Sequence, residues 1–376
     1  MSTLLTPIEI ERPSSIKFGP GLASTIGAFA LARGCSRPLV VSDPFNAGRV
    51  ELLGLPGKVA VFGTVRPEPD IPNLVALLSM AADVQPDIVI GFGGGSAMDL
   101  AKLAGVLPGS GQTIHDVVGV EKVRGRKVAL VQVPTTSGTG SEAGTRALVT
   151  DPATQNKLAV QSRYMLADLA IVDPDLTLTV PPAVTAATGV DALAHCAEAY
   201  TSRKAHPLID LYAIEGIRLV GRFLPRAVRD GSDREARAGL ALASLYGGFC
   251  LGPVNTTAGH AVAYPLGTRH HIPHGLSCAL IFPHVLAFNA PAALEKTQAI
   301  LRALGLSVSK DEVVIRDTSR EWCRALGIDM RLSAHRVPES DLKAMATEAH
   351  AIRRLLDNNP RDLSPDQILT IYQAAY

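Results

Sequence analysis

Short runs built almost entirely of Val, Ile, Leu and Ala recur through the first half of this chain, with helical stretches between them. RPLVVSD (Arg37–Asp43), VAVFG (Val59–Gly63), DIVIGFGGG (Asp87–Gly95) and KVALVQVP (Lys127–Pro134) are the clearest. A strand with one wet face alternates apolar and polar residues. A strand buried on both faces does not, and such strands belong to parallel sheets covered by helices on each side. IPNLVALLSMAADV (Ile71–Val84) and SAMDLAKLAGVL (Ser96–Leu107) have the spacing of those helices. After Pro181-Pro182 the strand-like runs become scarce. Ala213–Asp230 and Ala236–Gly248 are apolar at helical period, as is the tail Glu339–Tyr376, broken at Asn358-Asn359-Pro360. The expectation is an α/β domain over residues 1–182 and an all-α domain over 183–376, with no internal repeat.

The length of 376 residues suits two domains, and 47% hydrophobic against 19% charged residues supplies their cores and excludes global disorder. Lys plus Arg number 36 and Asp plus Glu 35, so no charge excess points to nucleic acid, and 5% aromatics gives little for base stacking. The cysteines, Cys35, Cys196, Cys250, Cys278 and Cys323, are scattered and form no CxxC, which fits reduced thiols in a cytoplasmic protein. The first residues have no basic segment followed by a long apolar one, so a secretory signal is not expected. Ala238–Gly267 lacks Asp, Glu, Lys and Arg and is long enough to span a bilayer. Its glycines and prolines, Gly247, Gly248, Gly252, Pro253, Gly259 and Pro265, together with Asn255 and His260, favour buried core helices instead, and no membrane partner is expected.

Chemistry concentrates where strands end. Gly93-Gly94-Gly95-Ser96 lies between a strand and a helix, where glycines admit a ligand to the backbone and the helix N-terminus favours a phosphate. Ser96 with Asp99 also reads as a capping pair. PTTSGTGSE (Pro134–Glu142) follows another strand with four hydroxyls and two glycines, and the C-terminal edge of an open α/β sheet is where ligands bind. Asp43 ends a strand, where a carboxylate can accept hydrogen bonds from a ribose diol; with Pro44 next, a helix N-cap is an equal reading. In GVDALAHCAEAY, Asp191 and His195 stand four apart, on one helix face. With His260 and His274 they make an N/O donor set suited to Fe(II) or Zn(II) and not to Ca(II) or Mg(II).

GGGSAMDLAK, PTTSGTGSE, TGVDALAHCAEAY, and GHAVAYPLG followed by HHIPHG together resemble the signatures of the iron-dependent (group III) alcohol dehydrogenases. FGPGLASTIG, PEP and NNPRDLSPDQI are similar in spirit, so the resemblance covers nearly the whole chain. It implies an N-terminal dinucleotide-binding α/β domain and a helical C-terminal domain, the architecture shared with dehydroquinate synthase, with metal and reaction in the cleft between them. It implies Asp191, His195, His260 and His274 as ligands of Fe(2+), with Zn(2+) an alternative. Gly94, Gly95 and Ser96 would hold the pyrophosphate of NAD, and Asp99, Thr135, Thr136, Thr139, Ser141 and, more weakly, Lys157 would line the cofactor site. Asp43 would favour NAD over NADP, because a carboxylate repels a 2′-phosphate. A homodimer is expected.

The activity implied is reversible hydride transfer between NAD(H) and a small alcohol or aldehyde. Many family members carry a second histidine four residues after the third ligand, where it relays a proton. Here that position is Tyr264, whose ordinary pKa near 10 suits it poorly to the task at neutral pH. Arg146, just beyond PTTSGTGSE, offers a fixed fork of donors that matches a carboxylate or phosphonate, with His270 and His271 adding positive character nearby; this points to an ω-hydroxy acid or its semialdehyde. An Arg146 turned to solvent or paired with Glu142 is the competing reading. Competing functions are a metal- and NAD-dependent cyclisation of the dehydroquinate synthase type and a nucleotide-binding protein without catalysis.

Overall fold

The computed structural model describes residues 4–154 and 156–376. The chain divides into two compact units. One comprises Ile10–Thr136 with Gly140–Leu178, and the other is chiefly Thr179–Tyr376 together with Ser137–Thr139.

The first unit is built on a six-stranded, all-parallel sheet. Its strands come from β1 (Ile16–Phe18), β2 (Pro38–Ser42), β3 (Ala60–Phe62), β4 (Ile88–Gly93), β6 (Ala129–Pro134) and β9 (Leu169–Val172), in the spatial order β1-β9-β6-β4-β2-β3. Four of these are the apolar runs. Their lack of alternation has the expected cause: Leu39, Val41 and Val89 enter the core on one face, while Val40, Ile88, Ile90 and Phe92 enter the core on the other. Ile71–Val84 is helical as read, started by Asp70, whose side chain accepts from Asn73 N. From β2 the chain continues to a strand on one side, and from β4 to a strand on the other. The order therefore switches between β2 and β4, and a crevice opens at their C-terminal ends.

A second, three-stranded sheet was not anticipated. β7 (Arg146–Asp151) and β8 (Asn156–Gln161) pair antiparallel, and β5 (Gly119–Val120) runs parallel to β8. Ala147, Val149 and Val160 face the core while their neighbours do not, so these strands carry the alternating signal of half-buried strands, in segments dominated by the adjoining loop.

The second unit is helical around one large core. The charge-free stretch is split between helices Arg234–Leu251 and Ala258–His270, with residues 252–257 outside regular structure. Among the described residues, the segment long and apolar enough to cross a membrane is a different one, His274–Ala292, and most of it is buried inside the protein, as in a core helix. The last helix, Pro365–Ala375, begins with a capping box formed by Ser364 and Gln367.

Candidate metal centre and nucleotide-binding edge

Helix Pro182–Thr201 presents Asp191 and His195 from one face, and helices Ala258–His270 and His274–Asn289 bring His260 and His274 to them. One ligand atom from each of the four lies within 4.8 Å of the others. The Nε2 atoms of His260, His274 and His195 stand 3.5, 3.6 and 3.8 Å from Asp191 Oδ1, too far for good hydrogen bonds. Asp191 Oδ1 is buried and has no hydrogen-bond partner.

Two contacts fix which nitrogen faces the centre. His195 Nδ1 is 3.2 Å from the Gly138 carbonyl, and His260 Nδ1 is 2.6 Å from Glu198 Oε1. Both oxygens accept, so each Nδ1 carries the proton and each Nε2 is left with a bare lone pair. Those two Nε2 atoms face one another at 2.9 Å. Two converging lone pairs and an unpartnered carboxylate oxygen repel unless a cation joins them. An ion with bonds near 2.1 Å in tetrahedral array sets its donors about 3.4 Å apart, so the four residues fit a divalent metal. The charge states of His195 and Asp191 agree with this. Burial, helped by the neighbouring imidazoles, pushes His195 down to about 4 against the pull of Asp191, so it is neutral. Burial would raise Asp191, but the imidazoles of His195, His274 and His260 hold it well below the carboxylate range, so it is ionised.

Glu198 was not singled out from the sequence, although its position completes a series with Asp191 and His195 at i, i+4 and i+7 on one helix face. Its Oε2 accepts from Thr257 N at 2.6 Å, Thr257 Oγ1 at 3.0 Å and His260 N at 3.3 Å, so one carboxylate orients His260 and caps the start of its helix. Gly259 permits this approach: a Cβ there would lie 2.5 Å from Glu198 Oε1. Of the four, His274 keeps some exposure, with 22% of its side chain accessible. The ring of Tyr264 lies 5.9 Å from the His274 ring, and its hydroxyl accepts from Arg354 Nη2 at 3.4 Å. His270 Nε2 is turned to Asp341, 3.5 Å away, and burial lowers its pKa, so it adds little positive charge.

In the sheet unit, the loops after β2, β4 and β6 gather at the crevice. Helix Gly95–Val106 starts at Gly94 with no side-chain cap, which leaves its positive end to a ligand. Ser96 thus lies inside the first turn and does not cap it. Asp99 is spent elsewhere: its Oδ1 accepts from Ser141 Oγ at 2.7 Å and its Oδ2 from Leu148 N at 2.9 Å. Buried Lys102, which the sequence reading passed over, donates to Ser141 Oγ and to the Arg146 carbonyl, each at 2.7 Å. Asp99 and Ser141 therefore brace the loop from behind. Asp43 caps the short helix Pro44–Ala47, accepting from Phe45 N and Asn46 N at 3.0 Å, and takes Asn46 Nδ2 at 2.7 Å. Asn46 also donates to Thr135 Oγ1 at 3.1 Å. Gly93, at φ 156°, leaves no room for a side chain beside Asp43 Oδ2, which a Cβ would approach to 3.0 Å. The hydroxyl of Thr136 lies 3.4 Å from where a Cβ on Gly94 would stand, so Thr136 and the glycine turn share the crevice. Lys157 pairs with Glu68, and Arg146 Nη2 donates to Gln161 Oε1 at 3.1 Å.

Comparison with known proteins accords with this arrangement. Residues 13–174 match the family model for iron-containing alcohol dehydrogenase, and residues 185–376 that for the C-terminal part of the Fe-containing alcohol dehydrogenase family. The chain is 37% identical to long-chain-alcohol dehydrogenase 1 of Geobacillus thermodenitrificans, over 91% of this chain and 90% of that one. It is 33% identical to sulfoacetaldehyde reductase of Bilophila wadsworthia, over 95% and 90%. Among solved structures it resembles a 1,3-propanediol oxidoreductase, with TM-score 0.93 and 31% identity over 99% of this chain and 100% of that one. It also resembles the sulfoacetaldehyde reductase of Bifidobacterium kashiwanohense in complex with NAD+, with TM-score 0.88 and 30% identity over 98% and 99%. The chain belongs to the iron-containing alcohol dehydrogenase family, and is an NAD-dependent oxidoreductase of that family.

Proposed function

We propose that this enzyme interconverts a small alcohol carrying an anionic group with the corresponding aldehyde, using NAD(H) and Fe(2+), with Zn(2+) able to occupy the same donors. The observation that carries the metal part is the unpartnered, buried Asp191 Oδ1 facing three imidazole nitrogens. When bound, the metal supplies a Lewis acid for the substrate oxygen and NAD the hydride acceptor.

The chain's own residues do the rest. Asp191, His195, His260 and His274 hold the ion, and Gly138 and Glu198 keep the imidazoles in the ligating tautomer. Gly94, Gly95 and Ser96 receive the pyrophosphate at the uncapped helix end. Thr135, Thr136, Thr139, Asp99 and Ser141 line the cofactor site, with Lys157 a weaker member of the set. Asp43 meets the ribose hydroxyls with the lone pairs that capping leaves. Tyr264 stands where many relatives have a second histidine, and its hydroxyl accepts from the Arg354 guanidinium.

Arg146 is the proposed contact for the anionic group, and two matched relatives named sulfoacetaldehyde reductase support that class of substrate. We further propose the functional division 1–182 and 183–376, a cytoplasmic location and a homodimer. The test is NADH absorbance on Fe(2+)-loaded protein with alcohols, aldehydes, hydroxy acids and semialdehydes. An ω-hydroxy acid should surpass the neutral alcohol of equal length, and Arg146→Ala should raise the KM for the acid about 10-fold. Preference for the neutral alcohol overturns the anionic reading, and full turnover in metal-free protein overturns the metal.

A further inference from the structure

We propose that Arg354, seated on Tyr264, is a specificity-determining residue that takes the anionic end of the substrate; this rests on the anionic-substrate reading above and adds a second, independent cation to it. The motif Asn358-Asn359-Pro360 anchors Arg354. Asn358 is buried, and its Nδ2 donates to the Arg354 carbonyl at 3.1 Å and to the Thr256 carbonyl at 3.2 Å. Asn359 Oδ1 accepts from Ala258 N at 3.3 Å. These amides fasten the turn that carries Arg354 to the residues leading into the helix of His260 and Tyr264. The position of Arg354 against Tyr264 is therefore built by long-range hydrogen bonds.

The guanidinium itself is exposed and poorly satisfied. Its carbon lies 5.6 Å from the Tyr264 ring centroid, and its contact with the Tyr264 hydroxyl is long. Asp357, three residues on, is engaged by Arg353, and Glu348 by Arg269. Among the described residues Arg354 pairs with no carboxylate. Arginine has five donors in a rigid fork suited to a carboxylate, sulfonate or phosphonate, and most of that fork is unused here. It also stands on the correct side. Three of the four ligands are buried, and the centre is accessible at His274, the ligand against which Tyr264 packs. A substrate whose oxygen reaches the metal past His274 meets Tyr264 and then Arg354.

The test uses Fe(2+)-loaded full-length enzyme and reads the ratio of kcat/KM for 4-hydroxybutyrate to that for 1-butanol. Wild type should favour the acid. Arg354→Ala should lower the ratio about 10- to 100-fold, the scale of one lost charge-assisted hydrogen bond. Arg354→Lys should retain part of it. Arg354→Glu should turn the preference towards 4-amino-1-butanol, which a purely structural role would not do. Metal content and circular dichroism of each variant establish that the centre and fold are intact. If Arg354→Ala and Arg354→Glu leave the ratio within 2-fold of wild type, or lower both substrates alike, the assignment is overturned. If wild type itself shows no preference for the acid, the anionic-substrate reading fails, and that result appears before any variant is made.

Discussion

Glu198 Oε1 lies 2.6 Å from His260 Nδ1, while its other oxygen takes the N–H and the hydroxyl of Thr257. One buried carboxylate thus sets the tautomer of His260, a proposed metal ligand, and fixes the start of the helix that bears it. Glu198 is a positioning residue. Burial would raise its pKa, yet the His260 imidazole and the N–H donors hold it below its ordinary range, so it remains an acceptor across neutral pH.

Glu198→Gln keeps one acceptor oxygen, and Glu198→Ala removes both. Metal affinity, measured by competition with a chelator, should fall 10- to 100-fold in the alanine variant and less in the glutamine variant. Gly259→Ala should act similarly, since its Cβ would displace the same carboxylate. Unchanged affinity in all three would remove Glu198 from the centre.

Replacing His195 or His274 with Ala should abolish bound metal, read by elemental analysis, together with turnover. The sheet unit should stay folded, because its cores contain none of these residues. Loss of turnover with a full complement of metal would contradict the ligand assignment.

Asp43 is both a helix cap and the proposed ribose contact, so Asp43→Gly should relax the preference for NAD over NADP at a cost of a few tenths of a kcal/mol in stability. Asp43→Asn keeps an N-cap and removes the charge. It should relax cofactor preference with little change in Tm. Equal catalytic efficiency with both cofactors in the wild type would end this assignment.

Glu142 is buried beside Lys102, and one of its oxygens has no hydrogen-bond partner. Burial pushes its pKa up to about 7, above its usual 4.5, against the pull of Lys102. The folded chain then holds a proton that the unfolded chain has released, so this contribution is full below about pH 4.5 and is lost as pH rises through 7. Glu142→Gln should be about 1–3 kcal/mol more stable than wild type at pH 8 and nearly equal at pH 4.5, by chemical denaturation. A variant less stable at pH 8 would refute the argument.

His284 shows the opposite slope. It is buried, neither ring nitrogen has a hydrogen-bond partner, and burial, with Arg316 and Arg320 nearby, pushes its pKa down to about 4. The unfolded chain gains this proton near pH 6.5 and the folded chain only near 4, so stability falls as pH drops between them. His284→Phe should flatten that acid limb by up to about 3 kcal/mol, seen as a smaller loss of Tm between pH 7 and pH 5.

The sequence by itself determined the elements and the donor atoms. Two-sided burial writes a near-continuous apolar run, so β2, β3, β4 and β6 were legible, as were the glycine turn after β4 and the helix Ile71–Val84. A spacing of four set Asp191 and His195 on one face of one helix, because helical geometry is local. The tertiary structure decided what lies far apart in the chain. The strand order that puts Asp43 and Gly94 on either side of one crevice depends on crossover connections that leave no local pattern. The pairing of β7 with β8, the coupling of His195 to Gly138, of Glu198 to Thr257 and of Arg354 to Tyr264 join residues whose partners no residue type announces. A carbonyl, a glutamate and an arginine are common in any chain. The carbonyl becomes an orienting acceptor and the glutamate a shared cap only when packing brings His195 and His260 to them and removes water, and the arginine meets Tyr264 only through the same packing.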